Sequence, residues 1–315
     1  MLLTTCESRV TSYESRPLHD LYHFGELLNR VRTAYKRLRR CDLCPHDCGV
    51  DRIAGETGVC RAGFRPRIAS ATVHHGEEPP ISGSCGSGTI FLTGCSLKCR
   101  FCQNFPISQF DNGEDLSLLE LANRMLRLQG MKVHNINFVT PTHYLPQILA
   151  ALYLAIGKGF SLPIVWNSSG YEKTDVLHLL DGVVAIYLPD MKYHDDESAR
   201  LFSSAPGYRE VNRAAVREML RQVGHLELSD DGVARQGLII RHLVLPEGYA
   251  GSTKIVHWIA ENLGTETHIS LMKQFFPAHQ AAEIPLLGRK ITDEEYDAAV
   301  SALETAGLEN GWVQD

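Results

Sequence analysis

The sequence predicts an α/β fold, a partial (β/α)6 TIM-like barrel with an N-terminal helix and a Cys-rich extension. Three observations predict it. From Thr89 onward six short apolar runs alternate with helical patterns, which implies parallel strands joined by right-handed crossovers. Six strands are two short of a closed eight-fold barrel, so the sheet should stay open, with its chemistry at the strand C-terminal ends. Ahead of that alternation the chain carries one amphipathic helix and an irregular, cysteine-dense segment. The expected organisation is an N-terminal helix and metal-binding extension over 1–82, a core barrel over 83–290, and a C-terminal helix and tail over 291–315.

Each element has a local reason. Residues 17–40 read as a helix because Leu21, Phe24, Leu27, Leu28 and Val31 recur at helical spacing. Its far end is basic, with Arg30, Arg32, Lys36, Arg37, Arg39 and Arg40; this is either a solvated face or a docking surface for an acidic electron-transfer partner. The irregular segment follows from Cys41 to about Arg67. Thr89 to Thr93 (TIFLT) is a buried-type strand running straight into Gly94 and Cys95. Ser117 and Glu120 form a capping box for a helix with Leu118, Leu121, Ala122, Met125 and Leu128 on one face, ended by Gly130. Asn135 to Thr140 is the next strand, broken by Pro141. Further apolar runs begin at Pro163, Val183, Leu238 and His268, with helical patterns between them near 145–157, 173–181, 195–223 and 252–263. Leu226 to Leu238, with Asp231 and Gly232 at the turn, predicts a hairpin. A second capping box, Thr292 and Glu295, opens a last helix through Tyr296, Val300 and Leu303. Gly83, Gly86 and Gly88 precede a strand instead of joining strand to helix, so they do not form a dinucleotide loop.

Composition narrows the function classes. Of 315 residues, 44% are hydrophobic and 22% charged, which fits a globular chain with a real core. Lys+Arg 31 against Asp+Glu 37 leaves a net charge of -6, which argues against a nucleic-acid partner. The longest apolar stretch, Ile148 to Ile156, is nine residues and too short to span a bilayer. Residues 1–20 hold charges and no apolar run, so no signal peptide is expected and the protein is expected to be cytoplasmic.

The nine cysteines fall in groups: Cys41, Cys44, Cys48 and Cys60, then Cys95, Cys99 and Cys102, with Cys6 and Cys85 alone as expected reduced thiols. Tight groups without a secretion signal read as metal or cluster ligands, not disulfide staples. Cys95-x3-Cys99-x2-Cys102 leaves the first strand and has no fourth thiol after it. Three thiolates on a four-iron cluster leave one iron open to a substrate, as catalytic zinc sites keep one position open. The competing reading is a zinc site completed by His74, His75 or His143.

With Phe101 as the aromatic before the last cysteine, this run resembles the signature of the radical S-adenosylmethionine superfamily. The fuller pattern, over roughly residues 41–280, resembles the uncharacterised relatives of pyruvate formate-lyase activating enzyme. The resemblance implies a [4Fe-4S] cluster on Cys95, Cys99 and Cys102. S-adenosyl-L-methionine would chelate the open iron and be cleaved reductively to a 5′-deoxyadenosyl radical that abstracts hydrogen. It further implies cofactor-contacting roles for Asp190 and Lys192, which look like a D-x-K motif after the fourth strand, although a structural ion pair at the barrel rim remains the alternative. Asn167 and Ser168 stand where activating enzymes carry Asp-Thr-Asn-Gly, and the Asp-to-Asn difference weakens any monovalent-cation site there. Arg241 resembles the family's fifth-strand arginine. His279 follows the sixth strand, where it would either meet the cofactor or serve a surface or capping role. The usual Gly-Gly-Glu after the second strand is replaced by Val139 to Tyr144 (VTPTHY), so Thr140, Thr142, His143 or a backbone carbonyl would hold the cofactor's amino group. A flavodoxin- or ferredoxin-type reductant and a protein substrate, a glycyl-radical partner enzyme, are implied too.

Cys41-x2-Cys44-x3-Cys48-x11-Cys60 supplies four thiolates, enough for a structural zinc or a second, fully ligated iron–sulfur cluster, with a metal-free reduced loop as the third option. Activating enzymes place extra cysteines after the radical motif, whereas these precede it. A reading from another class is a non-catalytic iron–sulfur electron carrier or zinc-stabilised scaffold, against which the missing fourth ligand and the Asp190/Lys192 pair count.

Overall fold

The computed structural model describes residues 17–313. Among the described residues ten strands form one sheet: β1 (Arg67–His74), β2 (Ser87–Leu92), β3 (Glu114–Asp115), β4 (Ile136–Val139), β5 (Ile164–Ser168), β6 (Ile186–Pro189), β7 (Glu227–Leu228), β8 (Ala234–Leu243), β9 (His268–Met272) and β10 (Gly311–Val313). The sheet runs β10-β9-β8-β6-β5-β4-β2-β1-β3, with β7 paired to β8. From β2 to β10 along that path every pairing is parallel, and β1 and β3 add antiparallel strands at one edge. The path does not close on itself, so the architecture is the expected open, partial barrel.

The period-2 alternation of strands separates the two faces. Ile90, Ile136, Phe138, Ile164, Trp166, Tyr187, Leu238 and Ile240 point outward into the main core shared with the helices. Val165, Ile186, Leu188 and Ile239 form a smaller cluster on the inner face. The helices fall where the pattern placed them: Leu118–Gly130, Leu145–Ile156, Thr174–Leu177, Ser252–Leu263 and Asp293–Ala306. Both capping boxes form, at Ser117/Glu120 and Thr292/Glu295. The hairpin at Asp231 and Gly232 forms as well.

Four departures are informative. The helix expected over 17–40 is split into Pro17–His23 and Glu26–Lys36, followed by a 3-10 turn Arg37–Arg40. Gly25 in the left-handed region (φ 77) makes the break and turns Phe24 out to solvent, 85% exposed, while Leu27 and Ala34 bury. The helix expected over 195–223 breaks at Ser204–Gly207, where Pro206 cannot continue it. Strands β1 and β10 lie outside the predicted alternation, because one sits at an antiparallel edge with no clear periodicity and the other has only three residues. Cys85 is disulfide-bonded, not the reduced thiol expected of it, and Cys6 lies outside the described residues. Among the described residues no helix is long and apolar enough to cross a membrane.

Candidate metal and cofactor site

The C-terminal ends of β2, β4, β5, β6, β8 and β9 open on one cavity of about 220 Å³. Its lining includes Cys95, Cys99 and Cys102 together with Phe101, Thr140, Asn167, Ser168, Asp190, Lys192 and Arg241. These six strand ends converge because parallel strands deliver all their C-terminal ends to one rim. A cleft of about 520 Å³ beside His194 and Lys254 is roomier but gathers none of the cysteines.

The cysteine loop is pinned on both sides. Gly94 leaves β2 in the left-handed region (φ 75), and its N–H donates to the Ile107 carbonyl at 3.1 Å. The Lys98 and Arg100 N–H groups donate to Ser203 and Phe202 carbonyls, both at 2.8 Å. Each sulfur has a polar neighbour: Leu97 N–H donates to Cys95 Sγ (3.3 Å), Ser203 Oγ donates to Cys99 Sγ (3.0 Å), and Cys102 Sγ meets Ser108 Oγ (3.1 Å). Phe101 is buried between Tyr193 and Phe275 and holds the turn that spaces Cys99 from Cys102. Burial pushes the Cys95 thiol up to about 12 and the Cys99 thiol up to about 11, so these groups stay neutral until a metal claims the proton's place.

Opposite the sulfurs sits a charge relay. Asp190 is buried; its Oδ1 accepts from Arg241 Nε at 3.0 Å and its Oδ2 lies 2.6 Å from Lys192 Nζ. Burial alone would raise the Asp190 carboxyl, but the Arg241 and Lys192 cations outweigh it and hold it below the ordinary range. Burial alone would lower Lys192, yet Asp190 and the Cys99 sulfur keep it above its ordinary value. Arg241 also faces Glu78 at 4.0 Å. The amide of Asn137 and Glu78 Oε2 are buried without a hydrogen-bond partner.

The three candidates for the loop after β4 separate clearly. Thr140 (φ 58) lines the cavity, tied to β5 by its N–H to the Asn167 carbonyl at 2.8 Å. Thr142 is turned away and donates to Glu172 (2.9 Å), while His143 Nε2 donates to the Thr93 carbonyl (2.7 Å). His279 does not line the cavity: in a left-handed conformation (φ 53) it stacks on Phe105 at 5.0 Å. Neither His74 nor His75 lines it, and His74 pairs with Glu77 at 3.1 Å. Among the described residues no three His, Cys, Asp or Glu side chains converge as ligands of a single metal ion.

Sequence reasoning missed Glu172, which is buried and accepts from Thr142 Oγ1, Trp166 Nε1 (2.9 Å) and Ser168 Oγ (2.6 Å). It ties the β4 and β5 end loops together. Ser203 and Ser108, the sulfur partners, were missed as well, since nothing in their spacing relates them to the cysteines. The quartet lies in the irregular segment, with Cys41, Cys44 and Cys60 buried and Cys48 partly so. It abuts the Cys95 loop: a Cβ on Gly94 would lie 2.4 Å from the Cys60 carbonyl oxygen, and His46 Nε2 donates to the Ser96 carbonyl at 2.7 Å.

No family model matches the chain. Among solved structures the chain is similar to HydG, a maturase of the [FeFe]-hydrogenase, with 13% identity, a TM-score of 0.47, and coverage of 69% of this chain and 48% of that one. It is likewise similar to a radical SAM methyltransferase from Sphaerobacter thermophilus, with 15% identity, a TM-score of 0.49, and coverage of 72% and 65%. A third is TYW1 with a lysine-pyruvate adduct bound, with 13% identity, a TM-score of 0.42, and coverage of 72% and 76%. The match thus spans about half of the HydG chain. In sequence the chain is 33% identical over 291 residues to the uncharacterized protein MJ0674 of Methanocaldococcus jannaschii, covering 89% of this chain and 79% of that protein, and it belongs to the same family.

Proposed function

We propose that this protein is a radical S-adenosylmethionine enzyme. The observation that carries the reading is the joint opening of Cys95, Cys99 and Cys102, with Asp190, Lys192 and Arg241, on one cavity at the strand C-terminal rim. The donor set fits the group: three thiols with, among the described residues, no fourth cysteine on the cavity, each already positioned by a hydroxyl or an amide. When bound, a [4Fe-4S] cluster and S-adenosyl-L-methionine supply one-electron cleavage of the sulfonium to a 5′-deoxyadenosyl radical for hydrogen abstraction.

The chain's own residues then have defined tasks. Lys192 presents a positive charge to the cofactor carboxylate, and Asp190 holds that ammonium and the Arg241 guanidinium at fixed positions. The side chains of Thr140, Asn167 and Ser168 offer neutral hydrogen-bond groups along the same wall. By the sequence resemblance, Thr140, which lines the cavity, would hold the cofactor's amino group, as an acidic residue does in related motifs. Phe101 packs the cysteine turn against the barrel and keeps water from its inner side. By the sequence resemblance, the electron would come from a flavodoxin- or ferredoxin-type reductant and the hydrogen from a glycine backbone of a glycyl-radical partner enzyme.

The test is 5′-deoxyadenosine formation by anaerobically reconstituted protein with a strong reductant, beside a Cys95→Ala/Cys99→Ala/Cys102→Ala variant. Product from the intact protein alone is expected. Loaded protein that makes none, with and without a candidate partner, would end this reading.

A further inference from the structure

Arg52 is fully buried, and every described partner of its guanidinium is neutral. Nη1 donates to the His143 carbonyl at 2.7 Å, Nη2 to the Gly63 carbonyl at 2.7 Å and Nε to the same carbonyl at 3.2 Å. The group also lies 5.7 Å from the Tyr144 ring centroid. Carbonyl dipoles orient a cation but do not cancel its charge, and buried charges are ordinarily paired. Nearby, Lys98 Nζ is buried with no hydrogen-bond partner. Two cations therefore occupy the seam between the two cysteine groups.

The ionisable groups in the field of Arg52 include Tyr35, Tyr144, His143 and Cys60. Burial pushes both tyrosines up to about 12, so they are neutral, and His143 is kept neutral too. Cys60 lies in the same field, and the other three cysteines are gathered with it. Cys41 is closed onto the turn after Cys48 by Cys41 N–H to Val50 O and Gly49 N–H to Cys41 O, both 2.9 Å. The Cys48 sulfur lies against Gly58, where a Cβ would sit 2.6 Å away, and 3.5 Å from the Val59 nitrogen, one residue before Cys60.

We propose that Cys41, Cys44, Cys48 and Cys60 bind a second metal centre, a tetrathiolate of net negative charge whose buried counter-ion is Arg52, seated directly against the Cys95 loop. Four thiolates around a zinc ion or around an oxidised [4Fe-4S] cube both leave a net dianion, so the two occupants share the chemistry that Arg52 answers. The four sulfurs do not yet converge on one point. Loading turns them inward by side-chain rotation while the backbone turns stay. The proposal is independent of the radical reading, because it concerns a different set of ligands.

The experiment uses the full chain carrying Cys95→Ala/Cys99→Ala/Cys102→Ala, purified without oxygen, so that any bound metal belongs to the quartet. We expect either about one zinc or about four irons with acid-labile sulfide per chain. Visible absorption separates the two. Peptide mapping after alkylation should show Cys41, Cys44, Cys48 and Cys60 protected until the metal is stripped. Arg52→Gln, which keeps hydrogen-bond donors and removes the charge, should weaken metal retention against a chelator about tenfold or more, and Arg52→Lys should recover part of it. If the triple variant does not fold, the same mapping on the wild-type chain reads the quartet separately by peptide. Free alkylation of all four thiols in folded protein without metal overturns the proposal. So does an Arg52→Gln variant that holds metal as tightly as its parent.

Discussion

Gly94 shows how much a single residue can decide. It has φ 75, and the space its Cβ would need is filled by the Cys60 carbonyl oxygen at 2.4 Å. Two costs therefore attach to Gly94→Ala: left-handed strain of about 1 kcal/mol and separation of the two cysteine segments. Gly207 has φ 64 with nothing within 4 Å, so Gly207→Ala isolates the strain alone. We expect Gly94→Ala to lower the unfolding free energy by about 2–3 kcal/mol more than Gly207→Ala. It should also raise the alkylation rates of Cys60 and Cys95 together, whereas equal effects of the two substitutions would mean that the contact is not what holds the segments. The sequence made Cys95, Cys99, Cys102, Asp190 and Lys192 legible because their spacing is local. Arg52 and Glu172 were invisible because their meaning depends on burial.

At the scale of elements, β4 and β5 each end in a loop that lines the cavity, and Glu172 is the brace between them. Glu172→Ala would leave the Thr142 and Ser168 hydroxyls and the Trp166 indole N–H without their buried acceptor. A destabilisation of about 2–4 kcal/mol follows from the unpaired donors. The expected signature is faster hydrogen exchange confined to 139–145 and 166–171, with Glu172→Gln milder because its amide oxygen still accepts. Uniform loosening across the sheet would place the brace elsewhere. The N-terminal helix teaches the converse lesson: its apolar spacing was read correctly, but Gly25 interrupted it and reassigned Phe24 to solvent.

For the whole molecule, His143 and His242 set an acid limit. Both are buried; burial outweighs their hydrogen bonds and brings His143 to about 3 and His242 to about 4, against an ordinary value of 6.5. His242 Nδ1 donates to the Met191 carbonyl (2.6 Å), so its Nε2 is the acceptor from Ser252 Oγ (2.9 Å). The unfolded chain takes up two protons below 6.5 that the folded chain refuses until about 4. Stability is therefore unaffected above 6.5 and falls as pH drops through that window, by up to about 2.7 kcal/mol per pH unit. Urea midpoints at pH 7.5, 6 and 5 should show the decline, and a His143→Gln/His242→Gln variant should flatten it.

The sequence by itself determined the open barrel, since strand and helix periodicities and capping boxes are local patterns. It also determined the three-cysteine loop at the exit of β2. Only the tertiary structure decided which residues share the cavity. It selected Thr140 over Thr142 and His143, and it placed His279 against Phe105 instead of at the cavity. It also set the Cys60 carbonyl against Gly94 and buried Arg52 between the cysteine groups. The physical reason is that spacing encodes which face a side chain takes within its own element, whereas burial and charge balance depend on what packs opposite.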